Sequence, residues 1–476
     1  MKTNIINTAI TIISLLLILD SCKVPTLAAR KESRDVPAAY NQMQDTINSA
    51  SLQWKTFFND TNLVNLIDTA LRNNQELNIT LYEIQISKNE IGIRKGEYLP
   101  FAGIRGGAGF EKEGRYTRHG AVDESIDIKP GKRIPELLPD YKIGLYASWE
   151  IDAWKKLRNA RKAATLRYLA SVQGRNFMVT NLVAEIASSY YELMALDNRL
   201  LIVQQNISLQ DSALQITKKE KDAARVSLLA VNRFEAQLLH TQNLQYEIRQ
   251  QIVETENRIN FLTGRFPTPV IRSTEKLTDI VDNPVHAGIP SQLLVNRPDI
   301  QQAELEMEAA RLDTKSARAS FFPSFTLNAG IGWQAFNPAY LIKPASILYN
   351  LAGDLVAPIV NKNAIRAVYQ NANAKQIQAV YNYERTILNA EAEVVNLLAK
   401  MENFENSYQT KRKEVEILKA SISVSNSLFR SARADYIEVL TTQREVLESR
   451  MDLVEIKLNE MTSFVNLYRA IGGGWR

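Results

Sequence analysis

Cysteine is almost missing from this chain: Cys22 is the only one in 476 residues. A lone thiol makes no internal disulfide, and no Cys-rich zinc pattern can be built on it. Histidine is scarce too. His119, His240 and His286 lie far apart with no acid or cysteine at ligand spacing, so no metal is expected. No Gly-x-Ser-x-Gly elbow occurs. Gly106-Gly107-Ala108-Gly109 lies within an alternating segment, not at a strand-to-helix turn, so it is not a phosphate loop. These gaps argue against an enzyme and against a bound cofactor. Beyond the N-terminus no run reaches the roughly 18 apolar residues of a spanning helix, and a mean hydropathy of −0.22 excludes a bundle of such helices. The net charge of +5, from 57 basic and 52 acidic residues, suits a solvated mixed-charge surface and no nucleic-acid partner.

Proline and glycine are missing in long stretches. There is no proline between Pro139 and Pro267 or after Pro358, and no glycine between Gly353 and Gly472. Each of these residues breaks helices, so such gaps predict very long helices or helical hairpins.

The N-terminus opens with Lys2, and residues 5–19 are mostly apolar. That length suits a signal peptide, over residues 1–21, better than a membrane span. Leu19-Asp20-Ser21-Cys22 resembles a bacterial lipobox, in which the cysteine is lipidated and becomes the mature N-terminus; Asp20 departs from the usual pattern. The alternative is an ordinary signal peptide that leaves an incidental thiol. Residues 22–51 are polar and read as an extended tether.

The rest of the chain repeats itself. Leu99-Pro100 and Phe322-Pro323 each precede an alternating stretch, 223 residues apart. Leu157-Arg158 matches Ile365-Arg366, Ser227 matches Asp435, and Gly264 matches Gly472, all 208 apart. The first half therefore carries 15 extra residues between its two strands. Each half reads helix, strand, loop, strand, long helix, turn, long helix. The first repeat spans residues 52–264, with strands near 100–110 and 140–149 and long helices over 153–264. A proline-bearing linker covers 265–289. The second repeat spans 290–475, with strands near 323–333 and 347–356 and long helices over 360–471.

The strands alternate with period two. Ile104, Phe110, Tyr141, Ile143, Leu145, Trp149, Phe325, Leu327, Ile331 and Trp333 fall on apolar faces opposite Arg105, Lys142, Glu150 and Asn328. This pattern fits a membrane barrel facing outer-membrane lipid; a soluble antiparallel sheet with one wet face fits the strands equally well. Four strands are too few to close a barrel, whereas three chains would supply twelve, an even number. In the first long helix Val179, Val183, Ile186, Tyr190, Leu193, Leu196, Leu200, Val203 and Ile207 cover 28 residues in eight steps, 3.5 per step, the repeat of a left-handed coiled coil. The hairpin turns are expected near residues 224–228 and 432–436. In a trimer they would form a ring, with Asp435 and Glu438 as candidate gating acids and Ile437 as an apolar constriction; capping a helix is the plainer role for either acid.

Several segments resemble the TolC-type outer-membrane factors, specifically the lipidated subfamily that serves resistance-nodulation-division efflux pumps. They are Arg297-Pro298-Asp299-Ile300, Ala317-Arg318-Ala319-Ser320-Phe321-Phe322-Pro323, Ser148-Trp149-Glu150-Ile151-Asp152, Ala357-Pro358-Ile359 and the C-terminal Gly472-Gly473-Gly474-Trp475. The match runs from about Trp54 to Trp475. The resemblance implies a mixed α+β membrane protein and a homotrimer. Its twelve-stranded β-barrel in the outer membrane would continue as a long α-helical barrel in the periplasm. It also implies a passive exit duct that docks onto a periplasmic adaptor (membrane fusion protein) and a proton-driven inner-membrane transporter. Two departures stand out. Relatives often have glycine at both hairpin turns, where this chain has Ala224 and Ala432. Relatives also often set a leucine and an aspartate one helical turn apart at the gate, and those positions here are Ile437 and Thr441. Type I secretion, metal efflux and a non-conducting coiled-coil scaffold are the rival readings. The lipobox and the Gly-Gly-Gly-Trp ending favour export of drugs or other small molecules.

Overall fold

The computed structural model describes residues 24–28, 30–40, 46–280, 284–431 and 433–476. The expected signal peptide, the lipidation candidate Cys22 and Ala432 lie outside them. The principal elements are α1 (Thr61–Asn73), α2 (Gln75–Tyr98), β1 (Phe101–Glu111), β2 (Leu138–Ile151), α3 (Lys156–Asp222) and α4 (Leu228–Leu262), then α5 (Pro298–Ala319), β3 (Ser324–Ala335), β4 (Ile347–Val356), α6 (Asn363–Arg430) and α7 (Tyr436–Ala470). The long helices α3 and α6 have 67 and 68 residues, and α4 and α7 have 35 each. Both ends of α4 map onto those of α7 with an offset of 208, as do the ends of α3 and α6 at Asp222 and Arg430. The extra residues of the first half sit in the loop from β1 to β2. There they fold into a short helix, Arg118–Ser125, and a small hairpin of Asp127–Lys129 with Lys132–Arg133.

The chain forms two compact units that cut across both repeats. One, built from residues 85–169 and 305–381, holds the sheet. Its four strands pair antiparallel in the order β1-β2-β3-β4, so β2 of the first repeat lies beside β3 of the second. Where β2 ends, Asp152 turns the chain into α3. Its buried carboxylate accepts the backbone N–H groups of Leu157 at 3.1 Å and Arg158 at 2.9 Å and pairs with the Arg158 side chain. A carboxylate there meets otherwise unsatisfied donors and the positive end of the helix dipole.

The second unit, residues 32–84, 170–304 and 382–476, is helical. Seven of the nine heptad positions of α3 are buried in its main core, and Leu200 and Ile207 pack against that core. Their partners are Leu63 and Ile67 of α1, Ile248 and Ile259 of α4, and Val454, Met461 and Val465 of α7. A 3.5-residue repeat keeps the stripe facing its neighbours along the helix, as the sequence predicts.

The repeat persists in the turns. Arg225 donates its backbone N–H to Glu220 O at 2.9 Å, and Arg433 donates to Leu428 O at 2.8 Å, again 208 residues on. Such a 6→1 bond closes a helix end when the residue before it is left-handed. At the first turn that residue is Ala224, with φ of +59°, so alanine occupies the conformation glycine ordinarily takes. At the far ends of the hairpins Gly264 and Gly472 do use glycine, with φ of +67° and +95°. A Cβ on Gly264 would lie 2.4 Å from Asn73 O, and one on Gly472 would lie 2.5 Å from Asn296 O. Each repeat thus seats its final glycine against the start of its own helical array.

Candidate functional site

The candidate residues fall in two places, one in each unit. In the sheet the register decides which side chains share a face, because directly opposed residues of an antiparallel pair point the same way. Ile104 opposes Leu145, Leu145 opposes Ile331, and Ile331 opposes Tyr349. Ile143 opposes Trp333, Trp149 opposes Leu327, Ile151 opposes Phe325, and Tyr141 and Phe110 lie in the same alternation. All ten candidates therefore share one face. The register adds Tyr349, Leu351 and Leu355 of β4, which the sequence left weak because Leu348 and Val356 blur its alternation. The face is open in the single chain: Ile104 is 75% exposed and Tyr349 82%. The opposite face carries Arg105, Lys142, Glu150, Thr326 and Asp354. There Ser148 Oγ donates to Asn328 Oδ1 at 2.8 Å, and Asn328 Nδ2 donates to Asp354 Oδ2 at 3.0 Å. Among the described residues the outer edges of β1 and β4 have no strand partner.

Beside the hairpin turns, α4 and α7 pack through a small core of Val231, Phe234, Leu238 and Val439. Next to it an open groove of about 490 Å³ is lined by Asn232, Arg233, Ala236 and Gln237 of α4 and by Ile437, Leu440, Thr441 and Arg444 of α7. The structure thus brings Ile437 and Thr441 together. Asp435 and Glu438 do not line the groove. Asp435 caps α7, its side chain accepting the Tyr436 N–H at 3.0 Å, and Glu438 lies in the first turn. Arg233 and Arg444 were not singled out in the sequence, since neither belongs to a motif.

Arg297 of the Arg-Pro-Asp-Ile segment is 6% exposed. It holds Asp299 through two parallel bonds of 3.0 and 2.7 Å, and its Nη1 donates to Glu393 at 2.8 Å and to Ala470 O at 2.9 Å. Burial works against its charge, but Asp299 and Glu393 outweigh it and hold the guanidinium above its ordinary range. Arg469 also pairs with Glu393. This network locks the end of α7 to the start of α5. Among the described residues no three His, Cys, Asp or Glu side chains converge as a metal site, and no helix is long and apolar enough to cross a membrane.

An antiparallel sheet with one wholly apolar face, joined in one chain to paired long helices, defines a class of export channel. The family model for outer membrane efflux proteins matches residues 66–265 and 289–473, and the chain belongs to that family. It is 29% identical to the toluene efflux pump outer membrane protein TtgI of Pseudomonas putida, over 91% of this chain and 89% of that protein. It is 28% identical to the pyoverdine export outer membrane protein OpmQ of Pseudomonas aeruginosa, over 89% and 88%. The cation efflux system protein CusC of Escherichia coli is 24% identical, over 94% and 95%. A solved CusC structure superposes with a TM-score of 0.83 at 23% identity, covering 94% of this chain and 99% of that one. A structure of the outer-membrane channel OprN gives 0.84 at 22%, with the same coverage. The protein is thus an outer-membrane efflux protein.

Proposed function

We propose that three copies of this chain assemble into a passive duct that releases small organic molecules across the outer membrane. The observation that carries this reading is the open four-stranded sheet with an apolar face and two unpaired edges. Unpaired backbone at a sheet edge is untenable in lipid, so the edges must meet other strands. Three chains give about twelve strands, within the range of closed barrels, whereas one chain falls below the minimum of about eight. In this reading the ten apolar candidates face lipid, and the paired helices continue the bore into the periplasm. Lipid on Cys22 anchors the chain. Ile437 narrows the bore beside the hairpin turns. A periplasmic adaptor and a resistance-nodulation-division transporter supply the energy and most of the substrate choice.

The preference for organic cargo over metal ions rests on the relatives. Those exporting toluene and pyoverdine are 28–29% identical, while CusC is 24% identical. Cells lacking the protein should therefore accumulate organic dyes and become sensitive to hydrophobic antibiotics. Sensitivity to copper and silver alone would replace this reading with cation efflux.

A further inference from the structure

We propose, building on the duct reading, that the periplasmic mouth of this channel selects small anions, so that its cargo is organic molecules bearing carboxylate or similar negative groups. The groove between α4 and α7 carries two arginines and no acid among its lining residues. The repeat offset sets Arg233 against Thr441 and Arg444 against Ala236, so each half contributes one arginine at a staggered height. Three chains would place six around the bore, at the level of the Ile437 constriction. Among the described residues nothing pairs with Arg233, which is exposed. Among the described residues Arg444 pairs with Glu448 of the next turn, at 3.7 Å with both side chains more than half exposed. A contact so long and wet neutralises little. Asp435 and Glu438, the acids flanking Ile437, are outside the lining, as are Glu235 of α4 and Glu445 and Glu448 of α7, and Asp435 is spent on capping. The neutral groups beside the arginines, Asn232, Gln237 and Thr441, add donors that suit a carboxylate.

A ring of arginines at a narrow, low-dielectric constriction selects anions, and the walls focus its field. Within a Debye length of about 8 Å at physiological salt the charges act together, and at 1 M salt that length falls to about 3 Å.

The test is the reversal potential of the full-length protein in planar bilayers under a KCl gradient. Wild-type channels should pass chloride in preference to potassium, less so at 1 M than at 0.1 M. The double variant Arg233→Gln/Arg444→Gln should lose that preference several-fold, and Thr441→Asp should reduce it while leaving both arginines in place. Channels that form but favour potassium, or whose selectivity is unmoved by the double variant, would overturn the anion reading and leave the duct standing. Protein that forms no channel would overturn both.

Discussion

At the scale of single residues, Arg297 shows how the fold depends on a charge kept out of water. Its bonds to Asp299, Glu393 and the Ala470 carbonyl satisfy a guanidinium that burial alone would reject. Replacing it with methionine keeps the volume but leaves two carboxylates facing an apolar side chain. We expect Arg297→Met to cost about 3–5 kcal/mol in thermal or denaturant unfolding, with Arg297→Lys also destabilised because it loses the two-pronged bond to Asp299. Unchanged stability in the methionine variant would mean that the network is incidental. The Arg-Pro-Asp-Ile segment is visible in the sequence, but its partners are not: Glu393 is 96 residues away and Ala470 is 173. Ala224 makes the complementary point. Sequence reasoning finds alanine where a left-handed turn favours glycine, and the backbone takes φ of +59° nonetheless, closed by the Arg225 bond to Glu220.

At the scale of elements, period-two alternation and the absence of proline and glycine made the strands and long helices legible. Register was not, because it joins strands from different repeats. The pairing of β2 with β3 is what turns four separate alternations into one apolar face. The loop from β1 to β2 was also unread, since its Gly and Pro residues signal turns and mask the short helix Arg118–Ser125. The face makes a sharp prediction. Ile331→Arg should destabilise the inserted protein by about 2–4 kcal/mol if the site lies near mid-bilayer, whereas Thr326→Lys on the other face should insert normally. Heat-modifiable mobility on gels after reconstitution reads both. Equal tolerance of the two charges would indicate that the apolar face does not meet lipid.

At the scale of the whole molecule, the two sequence repeats and the two compact units divide the chain differently. Each repeat contributes strands to the sheet unit and helices to the helical unit. The alternating strands and the 208-residue offset gave most of this architecture from sequence. The proposed gate stays open to more than one reading in the sequence because a ring of turns would form only between chains. The most direct test of the duct is to measure the mass of the detergent-solubilised full-length protein and its conductance in planar bilayers. The account predicts a trimer that forms discrete channels, with Ile437→Ser raising the basal conductance; a monomer or soluble oligomer that never inserts would contradict it.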